Sequence, residues 1–328
     1  MTQQGKINRV KSPLKPAKRG SLLERADAAF GLDQIGPAVM PNGLREVEPR
    51  VPGAVRRAAQ AGQHQTRDAL QPGDGATVQS TVRAVTLRGP KQAVDRDMLG
   101  DAGILVPEDG VTTLLEEFRI VKRELLADAR ASKDERARRI LVSSPLPGEG
   151  KTYCSLNLAI ALAAERDVEV LLIDADTMNP SIPNRLGIET DEGFMDCLAD
   201  KSLRPEDLCL ATDIDGLFVL PAGTSSSRDS EYLASTRTAD VLDRLTRGAP
   251  NRFVIFDTPP ALAASPAAEL ASHVGQALLV VRADETSRAS LDDAQQLMSA
   301  CPDIKLLLNA ARFSPSGRRF GDYGEREQ

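Results

Sequence analysis

The segment Ser143-Ser144-Pro145-Leu146-Pro147-Gly148-Glu149-Gly150-Lys151-Thr152 carries the residues of a phosphate-binding turn. In such a turn backbone N–H groups cradle phosphates at a helix start, where the helix dipole favours negative charge. Lys151 is placed to reach β- and γ-phosphates, and the Thr152 hydroxyl to ligate Mg²⁺. The strict pattern has Gly six residues before the Lys, and this chain has Pro145 there. Two acidic motifs follow: Leu171-Leu172-Ile173-Asp174-Ala175-Asp176, and Phe253-Val254-Ile255-Phe256-Asp257-Thr258-Pro259-Pro260. Any one of these aspartates could simply cap a helix. Three motifs in this order, each after an apolar run, point to Mg-ATP.

These residues need elements to position them. Ile140-Leu141-Val142, Val168 to Ile173, Leu217 to Leu220, Phe253 to Phe256, Ala277 to Val281 and Ile304 to Leu308 are short apolar runs that read as buried strands. Helical stretches lie between them, over 151–165, 231–247, 265–273 and 287–299. A further helix, capped by Thr112 or Thr113, carries the stripe Leu114, Leu115, Phe118, Val121, Leu125 and Leu126. Near-continuous apolar strands alternating with helices predict an α/β, three-layer domain, a mostly parallel sheet between helices. Ligands bind such sheets beyond the carboxyl ends of the strands, where Asp174 and Asp176 would face the phosphates.

Other chemistries are set aside on residue type. The net charge of −6 argues against a nucleic-acid partner. No apolar run approaches the ~18 to 20 residues of a membrane span. Cys154, Cys197, Cys209 and Cys301 form no Cys-x-x-Cys, so zinc, redox and iron–sulfur sites are not expected. His64 and His273 are the only histidines, and neither stands in a nucleophile-elbow pattern.

The first hundred residues differ in kind. They are rich in Gly and Pro, hold a single aromatic, Phe30, and begin with Lys6, Arg9, Lys11, Lys15, Lys18 and Arg19 unaccompanied by any acid up to residue 20. Residues 1–102 therefore read as a mostly disordered extension. One island, 21–30, has Ser21 and Glu24 at capping-box spacing and Leu22, Leu23, Ala26 and Phe30 on one helical face. The predicted domain is 103–311, with a flexible tail, 312–328, carrying Tyr323.

Pro147-Gly148-Glu149-Gly150-Lys151-Thr152, Asp174-Ala175-Asp176 with Pro180, and Asp257-Thr258-Pro259-Pro260 resemble the three Walker-type motifs of bacterial tyrosine autokinases, deviant P-loop ATPases related to ParA and MinD. Those relatives carry a signature Lys five residues before the loop Lys, where this chain has Leu146. Glu116, Arg119 and Lys122 resemble the family's Glu-x-x-Arg-x-x-Arg oligomerisation helix. Ser21-Leu22-Leu23-Glu24-Arg25-Ala26 and Ala102-Gly103-Ile104-Leu105-Val106-Pro107 are similar to the soluble, exosortase-associated autokinases of exopolysaccharide systems.

The resemblance implies a P-loop NTPase fold and a cytoplasmic kinase brought to the inner membrane face by a partner. Its nucleotide would lie on Pro147 to Tyr153, with Asn309 on the adenine side. Lys151 and Mg²⁺, the latter held by Thr152, Asp176 and Asp257, would neutralise the phosphates, and Asp174 would approach the tyrosine hydroxyl. Implied partners are further copies in a ring-like oligomer, a membrane-embedded chain-length regulator (copolymerase) and a tyrosine phosphatase. The chain departs from the family in having a lone C-terminal acceptor, Tyr323, and Met178 where many members have Arg. Tyr153 and Tyr232 fall in predicted helices. A nucleotide-switched scaffold with little phosphotransfer therefore stays open beside the kinase, and a ParA/MinD-type positioning ATPase behind both.

Overall fold

The computed structural model describes residues 83–311. Eight strands form one sheet, in the order β1 (Lys91–Gln92), β4 (Leu210–Thr212), β5 (Leu217–Leu220), β3 (Glu169–Asp174), β6 (Arg252–Asp257), β2 (Arg139–Ser143), β7 (Gln276–Arg282) and β8 (Ile304–Asn309). Only the β4–β5 pair is antiparallel. The α/β expectation is met, and the apolar runs explain it. A parallel strand covered on both faces must be apolar along its whole length, and Ile140, Leu141 and Val142 of β2 are all fully buried. At about 1.5–3 kcal/mol for each such side chain, this burial fixes the strand that launches the phosphate loop.

The helices divide into two apolar layers. One contains α2 (Thr113–Ala131) and α3 (Lys151–Ala163), and the other includes α8 (Thr236–Thr246) and α9 (Pro266–Ala271). The α2 stripe is as expected, and Thr112 is its cap, accepting from the Leu115 N–H at 3.1 Å. The long stretch 231–247 is instead two helices, α7 (Asp229–Leu233) and α8, broken at Ala234-Ser235. Before α10 (Arg288–Leu297), the Ser287 hydroxyl accepts from the Ser290 N–H at 3.0 Å.

One boundary needs correcting. The domain does not start at 103: β1 and α1 (Arg96–Asp101) precede that point and belong to the folded body. Their composition is polar, but polar tertiary bonds fix them. The Val94 N–H donates to Asp213 at 2.9 Å, and Arg96 bridges Glu108 and Asp213. Leu99 is fully buried. The segment 21–30 and Tyr323 lie outside the described residues. Three short helices between β3 and β4 had no counterpart in the sequence reading: α4 (Ile182–Leu186), α5 (Phe194–Ala199) and α6 (Pro205–Leu208).

Candidate functional site

The site forms where β2, β6 and β3 end side by side. Asp174 and Asp257 close their strands as register partners, and Val142 pairs with Asp257 from the other side. Between β2 and α3 the chain turns through Gly148 and Gly150, at φ 81° and φ 95°. Gly150 occupies the cap position of α3 and supplies no side-chain cap, so the first N–H groups of the helix remain available to an anion. A Cβ at Gly150 would also meet the Asn309 amide nitrogen at 2.1 Å.

The side chains expected to act together do meet. The Lys151 ammonium lies 2.6 Å from Asp176 Oδ2 and 3.4 Å from the Thr152 hydroxyl. Asp257 is fully buried; Ser155 donates to its Oδ1 at 3.1 Å, and its Oδ2 has no partner among the described residues. Burial raises the Asp257 pKa above the ordinary carboxylate range, opposed by Lys151 and the Thr152 and Ser155 hydroxyls. An orphaned buried carboxylate oxygen beside a Thr hydroxyl suits a hard cation, so the residues fit Mg²⁺. No group of three or more His, Cys, Asp or Glu forms a metal cage among the described residues. Mg²⁺ in phosphate sites typically needs only one or two protein ligands, with phosphates and waters completing the shell.

Asp174 sits differently from the expectation that it faces substrate. It is fully buried, and its carboxylate accepts backbone N–H groups from Asp176 (3.2 Å), Ser181 (2.9 Å) and Ile182 (3.0 Å). Burial first, and then the neighbouring Asp257, push its pKa up to about 7 against those three donors. The loop from Thr177 to Ser181 therefore wraps the very group placed at the hydroxyl.

The structure adds Thr286 and Arg282, which the sequence reading missed and which act on residues of the loop. Glu149 is buried and accepts from the Leu146 N–H at 2.7 Å and from the Thr286 hydroxyl. Arg282 donates to the Gly148 carbonyl at 3.3 Å, and Asn309 to the Glu149 carbonyl at 2.8 Å. Asn309 thus holds the loop backbone, and it also borders a cavity of about 330 Å³ with Tyr153 and Glu117. A larger cavity, about 670 Å³ around Ile104, Leu105 and Ile214, contains none of the loop residues.

Glu116 and Arg119 pair with each other on α2 with about a third of each side chain exposed. Lys122 does not join them. It is buried, donating to the Ala161 carbonyl at 2.8 Å and pairing with Glu165 at 2.8 Å.

A glycine-turned loop after β2, an uncapped helix start and acids clustered at the ends of β3 and β6 define a P-loop nucleotide-binding domain. Residues 135–216 match the ParA family model, described as NUBPL iron-transfer P-loop NTPase. The tyrosine-protein kinase YwqD of Bacillus subtilis (strain 168) is 28% identical over 65% of this chain and 87% of its own length. The putative tyrosine-protein kinase EpsB of Ralstonia nicotianae is 31% identical over 67% of this chain, a match spanning 28% of that protein. In fold, the kinase domain of the Escherichia coli tyrosine kinase ETK superposes with a TM-score of 0.54, covering 69% of this chain and 98% of that domain at 23% identity. Residues 135–216 thus match a ParA-like P-loop NTPase domain, and the curated proteins to which this chain is similar are named tyrosine-protein kinases.

Proposed function

We propose that the protein is an ATP-dependent protein-tyrosine autokinase that regulates exopolysaccharide synthesis or export and phosphorylates Tyr323 of a neighbouring copy. One observation carries the reading: Lys151, Thr152, Asp174, Asp176 and Asp257 converge beyond three adjacent strand ends. The loop N–H groups and Lys151 bind and orient the β- and γ-phosphates. Mg²⁺, held by Thr152 and Asp257 with Asp176 beside them, would supply charge neutralisation at those oxygens. The tyrosine oxygen forms a bond to the γ-phosphorus while the bond to the β,γ-bridging oxygen breaks, leaving ADP. Asp174 is assigned to the phenolic proton, a role that requires the Ser181 and Ile182 N–H groups now bonded to its carboxylate to swing away when the tyrosine enters. Phosphoryl transfer passes through a loose transition state, so alignment and charge neutralisation are the main demands on the site.

The wider reading rests on the names of the relatives and on the motifs. It comprises an exosortase-associated type, a ring-like oligomer, recruitment to the inner membrane face by a chain-length regulator, and reversal by a tyrosine phosphatase. No helix among the described residues is long and apolar enough to cross a membrane. The nucleotide-switched scaffold is the second reading, favoured by the tyrosines: Tyr153 and Tyr232 sit half-buried in α3 and α7, leaving Tyr323 as the sole tail acceptor.

The test is phosphopeptide mass spectrometry after incubation with Mg-ATP, with and without the partner's cytoplasmic segment, beside Lys151→Met. Phosphate on Tyr323 in the wild type and its absence in Lys151→Met is the expected result. Wild-type phosphorylation by the variant would sink the site, and ATP binding without tyrosine phosphate would select the scaffold.

A further inference from the structure

At the opposite end of the sheet from the phosphate loop, a cavity of about 480 Å³ opens beside the amino-terminal ends of β2, β3 and β6. Three arginines line it: Arg130 from the last turn of α2, Arg138 just before β2, and Arg166 after α3, against a single acid, Asp167. Arg138 is the telling residue. Its side chain is only 14% exposed, its nearest carboxylate is Glu135 at 3.9 Å, and its Nε is buried with no partner. A guanidinium donor hidden from both water and protein is costly unless something accepts from it.

Asp167, in the lining, forms no ion pair among the described residues, but the two glutamates nearby in sequence are engaged. Glu165 pairs with Lys122 and Glu169 with Arg252. Arg130 and Arg166 are exposed at the rim and form no ion pair among the described residues. Forked guanidinium donors match the oxygens of phosphate bidentately, as they do those of a carboxylate, and three arginines together suit the higher charge of phosphate. The volume exceeds that of a bare phosphate and falls in the range of small-ligand pockets. The Asn251 amide and Ser132 hydroxyl offer neutral contacts for the remainder of such a ligand.

We propose that this cavity is a second anion site, binding the phosphate group of a phosphorylated small molecule through Arg138, Arg130 and Arg166. The site shares no residue with the phosphate loop and stands whether or not the kinase reading does. It is tested in the full chain carrying Lys151→Met, which disables the loop, using inorganic pyrophosphate as the probe in titration calorimetry. One saturable site is expected, weakened at least about tenfold by Arg138→Gln or by Arg166→Gln and unchanged by Arg123→Gln, a charge-matched control on the exposed face of α2. Arg166 is exposed, so its variant remains informative if Arg138→Gln fails to fold.

Absence of saturable binding, or equal weakening by Arg123→Gln, overturns the proposal. Sedimentation with phosphatidylglycerol vesicles, compared with phosphatidylcholine, separates two sources of the same chemistry. Arg166-dependent pelleting assigns the phosphate to a lipid headgroup, and pyrophosphate binding without pelleting assigns it to a soluble ligand.

Discussion

Asp174 and Asp257 end neighbouring strands in register, both buried, and two such carboxylates resist being charged together. Asp174 titrates near 7 in the folded chain and near 3.8 when unfolded, so between these values the folded state holds the extra proton. Stability from this group is present at low pH and is lost as pH rises toward 7. Asp174→Asn removes that penalty while disturbing the same backbone donors at every pH. Its melting temperature, relative to the wild type at the same pH, should therefore climb from pH 5 to pH 8 in nucleotide-free buffer. A pH-independent difference would contradict the raised pKa. At this scale the reactive residues were legible in the sequence because each sits at a fixed offset from an apolar run. Ser155, which donates to Asp257, was in principle readable as the residue one helical turn beyond Lys151. Thr286 was not, since 137 positions separate it from Glu149.

At the scale of elements, the phosphate loop is held from behind by the turn after β7 and by the end of β8. Thr286 reaches Glu149, Arg282 reaches Gly148, and Asn309 reaches the Glu149 carbonyl. These contacts hold the backbone N–H groups in position before any phosphate arrives, which reduces the ordering cost of binding. Thr286→Val should weaken nucleotide binding about tenfold by losing one hydrogen bond to a charged group. Thr286→Ser should restore it, as read in titrations with a fluorescent ATP analogue. Gly150→Ala should do more. It places a side chain at φ 95°, about 1–2 kcal/mol of backbone strain, and drives a Cβ into the Asn309 amide. Both a lower melting temperature and at least a tenfold loss of affinity are expected, and normal affinity would show that the loop rebuilds. The strands were legible because parallel strands buried on both faces leave unbroken apolar runs. Helices α4, α5 and α6 were not, being four to six residues each and specified by tertiary contacts such as the Phe194 N–H on the Pro221 carbonyl at 2.8 Å. The polar β1 and α1 were lost for the same reason.

For the whole molecule the question is how copies of the chain would meet in the proposed oligomer. The motif Glu116, Arg119, Lys122 reads in sequence as one oligomerisation stripe, yet residues three apart on a helix need not share its exposure. Glu116 and Arg119 present a partly exposed pair to solvent, whereas Lys122 turns inward to Ala161 and Glu165. There its ammonium holds the Glu165 carboxyl below its ordinary range. The two ends of the motif must then fail in different ways. Arg119→Ala removes a group accessible to a second copy and leaves the α2–α3 contact intact. It should lower the mass seen by light scattering while the melting temperature of the dissociated chain stays near that of wild-type monomer. Lys122→Ala deletes a buried donor and strands Glu165, a loss of about 2 kcal/mol for a half-exposed pair. That corresponds to a melting temperature lower by about 4–8 °C in a domain of this size, with the assembled mass unchanged below the transition. Loss of assembly in Lys122→Ala without loss of stability would return Lys122 to the interface and require its side chain to leave the domain when copies associate.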